Sequence, residues 1–211
     1  MGIKKLNKFL DNKGLVKKYD NIYNFKKKNY KIIVGVDTML YMYKFKYSYN
    51  DIIYGFTRQI IYFLVNKIIP IYIFDGKPLK EKNQTLYKRK NNKKKIESKI
   101  NEIKSQINEN MTQEEKENMN NQIVKLNKKN IKITNDDIKK LMSLFDLCGI
   151  PYLKSVNEAD ILLASLYKNN KINYCLSEDM DILIFGAKKI IKFDKKEIHE
   201  FNLNHILNNL E

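Results

Sequence analysis

The sequence predicts an α/β fold in which a mostly parallel sheet is flanked by helices. Three short apolar, β-branched runs each stop at an acidic residue or segment, and continuous runs of this length are typical of strands buried on both faces of a parallel sheet. Segments with helical periodicity lie between the runs, which is the alternation of an α/β domain. One polar stretch, 80–130, lacks strand signals and predicts a helical insertion in a single domain of 211 residues.

The predicted strands share a design in which the apolar run ends where acidic residues begin. In chain order they are Lys31–Val36, Ile68–Phe74, Ile172–Leu176 and Ile190–Phe193. Asp37 follows the first strand, Asp75 follows the second, and the acidic segment 177–181 follows the third. In open parallel sheets, ligands bind at the carboxyl ends of the strands. We therefore expect these carboxylates to face one crevice.

Two helices are predicted between the strands, at Asp51–Lys67 and Asn135–Cys148. Both carry apolar residues at spacings of three and four, which places those residues on one face. The second helix opens with Asn135 and two aspartates and closes with Gly149 before Pro151, which are helix start and stop signals. Strand and helix therefore alternate on both sides of the insertion.

The insertion itself predicts a hairpin of two helices that stands off the sheet. Apolar residues recur at helical spacing from Ile96 to Ile107 and again from Met119 to Leu126, so each helix has a narrow apolar seam. The segment Thr112–Glu115 has the form of a capping box, which would start the second helix. Taken alone, the many lysines of this stretch favour a solvated, charged helix face.

The composition limits the classes of function. The formal net charge is +16, and the common cellular polyanion for such a protein is nucleic acid. Drift toward Lys, Asn, Ile and Tyr in an AT-rich genome is the alternative explanation. No apolar run reaches the roughly 18–20 residues of a membrane span. Cys148 and Cys175 lie on apolar patterns, so we expect two buried free thiols in an intracellular protein.

Six carboxylates form the candidate metal site. They are Asp37, Asp75, Glu158, Asp160, Asp179 and Asp181. Oxygen-only ligand sets select Mg²⁺ or Mn²⁺, and two such ions about 3.5–4 Å apart can clamp the attacking and the leaving oxygen of a phosphodiester. Each residue also has a structural explanation, since Ser155–Glu158 has the form of a capping box and an Asp after a strand often caps the next helix.

Several motifs in a fixed order link the chain to a known family. They are Met1–Leu6, Val36–Thr38, Ile73–Pro78, Cys148–Tyr152, Asn157–Asp160 and Ser177–Gly186. In order and spacing, from residue 1 to about 207, the chain resembles the flap endonuclease and xeroderma pigmentosum G family of structure-specific 5′ nucleases. The resemblance implies one PIN-like (Rossmann-like) nuclease domain at 1–211, with an N-terminal nuclease region at 1–79, a basic helical arch at 80–130 and an internal nuclease region at 131–211.

The resemblance also implies roles for individual residues. The six carboxylates would hold two Mg²⁺ ions, with Mn²⁺ as a substitute. Lys82 and Arg89 would act as catalytic residues on the scissile phosphate, and the implied DNA-binding residues are Gly2, Tyr43, Arg58, Lys82 and Arg89. Two structural explanations stay open at this point. Tyr43 could pack in the core, and Lys82 and Arg89 could be two of the many solvated basic residues.

By this resemblance the chain is expected to be a Mg²⁺-dependent flap endonuclease or 5′–3′ exonuclease that hydrolyses DNA in replication or repair. The family continues into a further metal-site Asp and a helix-two-turn-helix that grips duplex DNA, and both are absent here because the sequence ends at Glu211. The chain is therefore either a fragment or a minimal nuclease. A catalytically weak or inactive DNA-junction-binding protein is the first alternative function, and a PIN-type RNA nuclease is the second.

The expected partners follow from the same resemblance. They are DNA with a 5′ flap or 5′ end and a sliding clamp, which would bind through a C-terminal tail that this sequence lacks. We expect a monomer without a membrane partner. The expected location is intracellular, in the nucleus or another site of DNA replication, or in a viral factory if the AT-rich composition reflects a large DNA virus.

Overall fold

The computed structural model describes residues 6–26, 31–78, 83–108, 111–194 and 197–210. Its helices are α1 Leu6–Asn12, α2 Ile22–Lys26, α3 Thr38–Tyr49, α4 Ile52–Val65, α5 Asn83–Gln106, α6 Gln113–Lys129, α7 Asn135–Cys148, α8 Ala159–Lys168, α9 Asp181–Ile184 and α10 Leu203–Leu207. Its strands are β1 Lys17–Tyr19, β2 Ile32–Asp37, β3 Ile68–Phe74, β4 Tyr152–Lys154, β5 Tyr174–Leu176, β6 Lys189–Asp194 and β7 Glu197–Asn202.

The described strands form one seven-stranded sheet in the order β1-β7-β6-β5-β2-β3-β4. The five strands from β6 to β4 are parallel to their neighbours, whereas β7 and β1 are antiparallel at one edge. The mostly parallel sheet predicted from the sequence is therefore confirmed, and the four predicted strands lie side by side within it. The strands that sequence reasoning missed are β1, β4 and β7; β1 and β4 have only three residues each and carry no buried apolar run.

Helices cover both faces of the sheet, because alternate residues of each central strand point to opposite sides. On one face α3, α4 and α7 pack around Phe56, Tyr72 and Phe145, and the rings of Tyr72 and Phe145 stack with centroids 4.3 Å apart. On the other face α1, α8 and α9 pack around Leu10 and Leu163. The strands between these two layers are therefore fixed in position, and so are the residues that follow their carboxyl ends.

The predicted helix boundaries are mostly confirmed. Helix α7 spans Asn135–Cys148 as expected, although its N-cap is Thr134, which forms a capping box with Asp137. Helix α4 lies inside the predicted Asp51–Lys67 and begins after Asp51, whose side chain accepts a hydrogen bond from the backbone N–H of Tyr54.

Helices α5 and α6 are the two helices predicted for the insertion, and they pack against each other with Ile100 and Ile123 buried between them. The capping box at Thr112 is present at the start of α6. Ile107 lies beyond the end of α5, so the seam is one position shorter than expected. Across the base of the hairpin, Glu97 contacts Lys132 and Asn130, which ties α5 to the segment that leads into α7.

The two cysteines differ in exposure, so the expectation that both are buried is wrong for Cys148. Cys148 is the last residue of α7 and is exposed, whereas Cys175 is buried in β5. Burial raises the pKa of the Cys175 thiol to about 12. We therefore expect one thiol per native chain to react with a thiol-exchange reagent at about pH 8, and both thiols to react after denaturation. Labelling of both in the native protein would contradict the packing around β5.

Within the part of the chain that the structure describes, no helix has the length and apolar content of a membrane span.

Candidate active site

The carboxyl ends of β5, β2 and β3 place three acidic positions along one edge of the sheet. These strands are neighbours in the order given above, so Asp37 at the end of β2 lies between Asp75, which follows β3, and the loop 177–181, which follows β5. These are the strand ends at which the sequence analysis expects the carboxylates to gather. The term acidic edge refers below to Asp37, Asp75 and loop 177–181.

Asp37 has a structural role and an electrostatic one. As the N-cap of α3, its Oδ1 accepts a hydrogen bond from the N–H of Leu40 at 3.1 Å, and its Oδ2 accepts one from the Ser177 hydroxyl at 3.3 Å. Burial raises the pKa of Asp37 to about 6, and the charges of Asp75 and Asp179 act in the same direction. A buried carboxylate that faces like charges is the situation that a bound cation relieves.

The loop after β5 connects Asp37 to two further carboxylates. The Ser177 hydroxyl accepts a hydrogen bond from the N–H of Asp179 at 3.1 Å while it donates to Asp37. Asp179 Oδ1 in turn accepts from the N–H of Asp181 at 3.0 Å, where α9 begins. A short chain of hydrogen bonds therefore sets the direction of this loop relative to β2.

Asp75 lies beside the start of α8. Beyond the ends of β3 and β4 the pairing continues, because Gly76 N–H donates to the carbonyl of Asn157 at 2.6 Å and Lys77 N–H donates to that of Val156 at 3.0 Å. Asp75 Oδ1 consequently accepts a hydrogen bond from the N–H of Ala159 at 2.7 Å. A carboxylate from another strand thus satisfies one of the free N–H groups at this helix start.

Glu158 and Asp160 belong to this helix start, but not in the way the local pattern suggested. Glu158 is buried at the N-cap position of α8, and its side chain makes no capping hydrogen bond. The capping box expected at Ser155–Glu158 is wrong, since the Ser155 hydroxyl donates instead to the Glu158 carbonyl at 3.0 Å. Asp160 lies in the first turn of α8, and its charge acts on Cys175 in β5.

The donor chemistry of these six carboxylates fits a hard divalent cation, because every candidate ligand atom is an oxygen. The carboxylates do not already surround one ion position. Among the described residues, no three His, Cys, Asp or Glu side chains form a ready-made metal site. Three carboxylates already accept backbone N–H groups, namely those of Asp37, Asp75 and Asp179. Their remaining lone pairs are the ones that an ion would use.

A cleft of about 680 Å³ opens beside the acidic edge, between α3 and the α5–α6 hairpin. Its lining includes Tyr43, Tyr47, Arg89, Lys93, Lys128 and Glu178. The Lys93 amino group lies 5.7 Å from the Tyr43 ring centroid, and that of Lys128 lies 5.8 Å from the Tyr47 ring centroid. Tyr43 is 41% exposed, whereas its neighbour Tyr41 is 4% exposed. Core packing of Tyr43 is thereby excluded, and the cleft combines cations with accessible aromatic faces.

Arg58, the remaining described residue among the predicted DNA-binding residues, lies away from this cleft. Arg58 lines a separate groove of about 730 Å³ between α3, α4 and the end of β6. Its guanidinium lies 5.9 and 5.6 Å from the ring centroids of Tyr49 and Tyr54. Gly2 and Lys82 lie outside the described residues, so their predicted roles stay predictions.

Sequence reasoning missed three residues in this region, which are Lys44, Tyr47 and Lys192. Lys44 Nζ lies 2.7 Å from Glu178 Oε1, and Lys192 Nζ donates to the Glu178 carbonyl at 2.9 Å. Burial lowers the pKa of Lys192 to about 8, against the opposing effect of Glu178 and Asp179. Tyr47 could have been found, because it lies one helical turn after Tyr43. Lys192 carries no such signal among so many lysines.

Comparison with known proteins gives two matches to family models. A model described as the XPG N-terminal domain matches residues 1–96, and one described as the XPG I-region matches residues 149–211. Flap endonuclease 1 of Bos taurus is 34% identical over 162 residues, which are 74% of this chain and 40% of that protein. Flap endonuclease 1 of Mus musculus is 35% identical over 151 residues, 69% and 37% of the two chains. The chain spans about two fifths of the length of these relatives.

Solved structures of similar fold cover nearly the whole chain. The catalytic core of Rad2 in complex with DNA substrate matches with a TM-score of 0.70 and 20% identity, over 98% of this chain and 57% of that one. Flap endonuclease-1 from Methanococcus jannaschii matches with a TM-score of 0.62 and 19% identity, over 99% and 65%. Human GEN1 in complex with Holliday junction DNA matches with a TM-score of 0.64 and 12% identity, over 99% and 46%.

Proposed function

Because the chain belongs to the XPG family, whose two regions together match about three quarters of it, we propose that it is a metal-dependent, structure-specific 5′ nuclease that hydrolyses DNA. The observation that carries the proposal is the acidic edge. Three neighbouring parallel strands bring oxygen ligands to one place, and a cleft lined by cations and tyrosines opens directly beside it. Oxygen ligands can hold the metal ions of phosphodiester hydrolysis, and neighbouring cations can stabilise the developing phosphate charge.

Each part of the site would have its own task. Asp37, Asp75, Glu158, Asp160, Asp179 and Asp181 would hold Mg²⁺, or Mn²⁺ in its place. When bound, such ions activate water and stabilise the charge on the leaving oxygen. Arg89 would contact the scissile phosphate from the cleft side, together with Lys82. Tyr43 would stack on the base next to the cut, since aromatic faces beside cations suit single-stranded nucleic acid.

Several features support DNA as the substrate. The net charge of +16 favours a polyanion, and the cleft beside the acidic edge carries Arg89, Lys93 and Lys128, which suit a phosphate backbone. The Rad2 neighbour was solved with a DNA substrate. We propose a 5′ flap or a 5′ end as the structure that is recognised, with binding that weakens steeply as salt rises because phosphate contacts dominate.

The proposal is tested by cleavage of an end-labelled 5′-flap duplex, beside a blunt duplex and a single-stranded RNA, each with Mg²⁺ and with EDTA. We expect Mg²⁺-dependent cuts near the flap junction, Mg²⁺-dependent cutting of the blunt duplex only from its 5′ ends, and little cutting of the RNA. Tight flap binding without cutting would replace the proposal by a junction-binding protein. Preferential cutting of the RNA would replace it by a PIN-type RNA nuclease.

Replacement of Arg89 by alanine tests the cleft side of the site. We expect kcat to fall about 100-fold, because one preorganised donor to the developing phosphate charge is removed. Lys90→Ala is the matched control, since Lys90 is the next residue of α5, is exposed, and does not line the cleft. Single-turnover cleavage of the flap substrate measures both. An equal loss of cleavage in the two variants would mean that Arg89 contributes only to the general positive charge of the site.

The proposed setting of this activity is inside the cell, at a site of DNA replication. We propose that the protein works there as a monomer. A sliding clamp stays a predicted partner, because the segment that would bind it lies beyond residue 211 in the family.

A further inference from the structure

Three charged residues from three elements meet at the loop that follows β5. Lys44 comes from α3, Glu178 from the loop and Lys192 from β6, with Nζ–Oε1 and Nζ–O distances of 2.7 and 2.9 Å. We propose that these residues, named here the Glu178 clamp, position Asp179 and Asp181 and thereby set the affinity of the acidic edge for its metal ion. This inference rests on the proposed function, because it assigns those two aspartates to the ion.

The contact with Lys192 acts on the peptide unit that leads into Asp179. The carbonyl of Glu178 accepts from Lys192, and the N–H of Asp179, in the same peptide unit, donates to the Ser177 hydroxyl at 3.1 Å. A peptide unit is planar and rigid. Hydrogen bonds at both of its polar groups therefore fix its rotation, and with it the direction in which the Asp179 side chain leaves the backbone.

The position of Lys192 is itself well supported. It lies in β6, which pairs with β5 through Cys175 and Leu176 and with β7 along its whole length. Its amino group lies 4.9 Å from the ring centroid of Phe201. The backbone of Lys192 is thus held by the sheet and its amino group lies over the Phe201 ring, so it can hold the carbonyl of Glu178 in place.

Lys44 adds a second and weaker connection. It pairs with the Glu178 carboxylate, and both side chains are about half exposed, so the pair alone contributes little. The pair matters because it connects the loop to α3, which is the helix that Asp37 caps. The loop is therefore tied to Asp37 twice, through the Ser177 hydroxyl and through α3.

Lys192→Met tests the clamp because methionine keeps the length of the side chain and removes the donor. Groups that orient metal ligands typically change metal affinity by about 10- to 100-fold, so we expect the Mg²⁺ concentration for half-maximal cleavage to rise about tenfold. The KM for flap DNA should stay within about twofold, since the DNA contacts are untouched. Lys192→Arg should restore most of the affinity, because it can donate to the same carbonyl.

Lys189→Met is the matched control. Lys189 lies on the same strand, but its amino group lies over the Tyr174 ring at 5.5 Å and does not touch the loop. A second readout needs no cleavage: Tb³⁺ bound at the acidic edge would be excited by neighbouring tyrosines, and its titration measures ion affinity directly. Lys192→Met should weaken Tb³⁺ binding about tenfold, and Lys189→Met should not.

The outcomes separate the clamp from the function. A wild-type enzyme that cuts, with Lys192→Met unchanged in both ion titrations, overturns the clamp and leaves the nuclease intact. A wild-type protein that binds Tb³⁺ but never cuts overturns the function, while weaker Tb³⁺ binding in Lys192→Met still supports the clamp. If Lys192→Met does not fold, Lys192→Thr takes its place, because threonine suits a strand and is too short to reach the Glu178 carbonyl, and an unchanged ion affinity there overturns the clamp.

Discussion

Cleavage by the Asp37→Asn variant should fall by about a thousandfold or more, because a bound ion supplies several kcal/mol of charge stabilisation that the variant cannot retain. The fold should survive the change. Asparagine can accept the same hydrogen bond from Leu40 N–H, so α3 keeps its cap. Single-turnover cleavage of a 5′-flap substrate measures the loss. Asp194→Asn is the matched control, since Asp194 ends the parallel strand β6, which β5 separates from β2, is exposed, and lies outside the acidic edge.

The same variant should be more stable than the parent in the absence of metal. Burial raises the pKa of Asp37 from its usual 3.8 to about 6, so the folded protein holds this proton more tightly than the unfolded chain does. The ionised carboxylate therefore destabilises the fold above about pH 6, and this effect shrinks as the pH falls toward 4. At about pH 7.5 and without metal, the free energy of unfolding of Asp37→Asn should be higher than that of the parent by about 3 kcal/mol.

Two results would contradict this pair of effects. Retained cleavage would remove Asp37 from the metal site, and an unchanged or lower stability at neutral pH would mean that the acidic edge does not strain the fold. Thermal unfolding as a function of pH, with EDTA present, separates the two. The stability difference between variant and parent should shrink as the pH falls below about 6 and should vanish only below about pH 3, where Asp37 is protonated in both the folded and the unfolded chain.

Gly76→Val should damage both the fold and the reaction. A Cβ at Gly76 would overlap with the carbonyl oxygens of Ser155 and Val156, which are backbone atoms and cannot rotate away. The hydrogen bonds that extend the pairing of β3 and β4 would break, and Asp75 would leave the N–H of Ala159. Overpacking and two or three lost hydrogen bonds together predict a loss of about 3 kcal/mol in the free energy of unfolding.

Denaturation in urea measures this loss, and the flap assay should show a fall in cleavage of about 100-fold, as for other residues that orient ligands. Gly35→Ala is the comparison variant, because its new Cβ would press on the ends of the buried Leu163 and Ile172 side chains, which give way more readily than backbone carbonyls. A Gly76→Val protein as stable as Gly35→Ala would contradict the close approach of the two strands.

The strands that carry the acidic edge could be predicted because each is a buried apolar run followed by an acidic residue. Asp37 and Asp75 were placed correctly for that reason. The partner of Asp75 could not be predicted, since it depends on pairing with β4, which has only three residues and little burial. The local pattern at Ser155–Glu158 was misleading because a carboxylate from β3 reaches the same helix start and contacts Ala159.

The basic residues were harder to assign than the acidic ones. The hairpin of α5 and α6 was predicted from the spacing of its isoleucines, but nothing local indicated that Lys93 would lie over Tyr43. Lys192 was missed because a lysine in a strand has no distinguishing pattern, and its contact with Glu178 depends on the order of the strands. Long-range pairing therefore decides which cations belong to the site.

The acidic edge is tested most directly by anomalous diffraction from crystals of the protein soaked in Mn²⁺. We predict anomalous manganese peaks between Asp37, Asp75 and Asp179. Each peak should lie roughly 2.0–2.2 Å from the carboxylate oxygens that bind it, which is the usual distance for divalent ions of this size. The contradicting result would be manganese bound only elsewhere in crystals of a preparation that cuts flap DNA. The reaction would then not take place at this edge of the sheet.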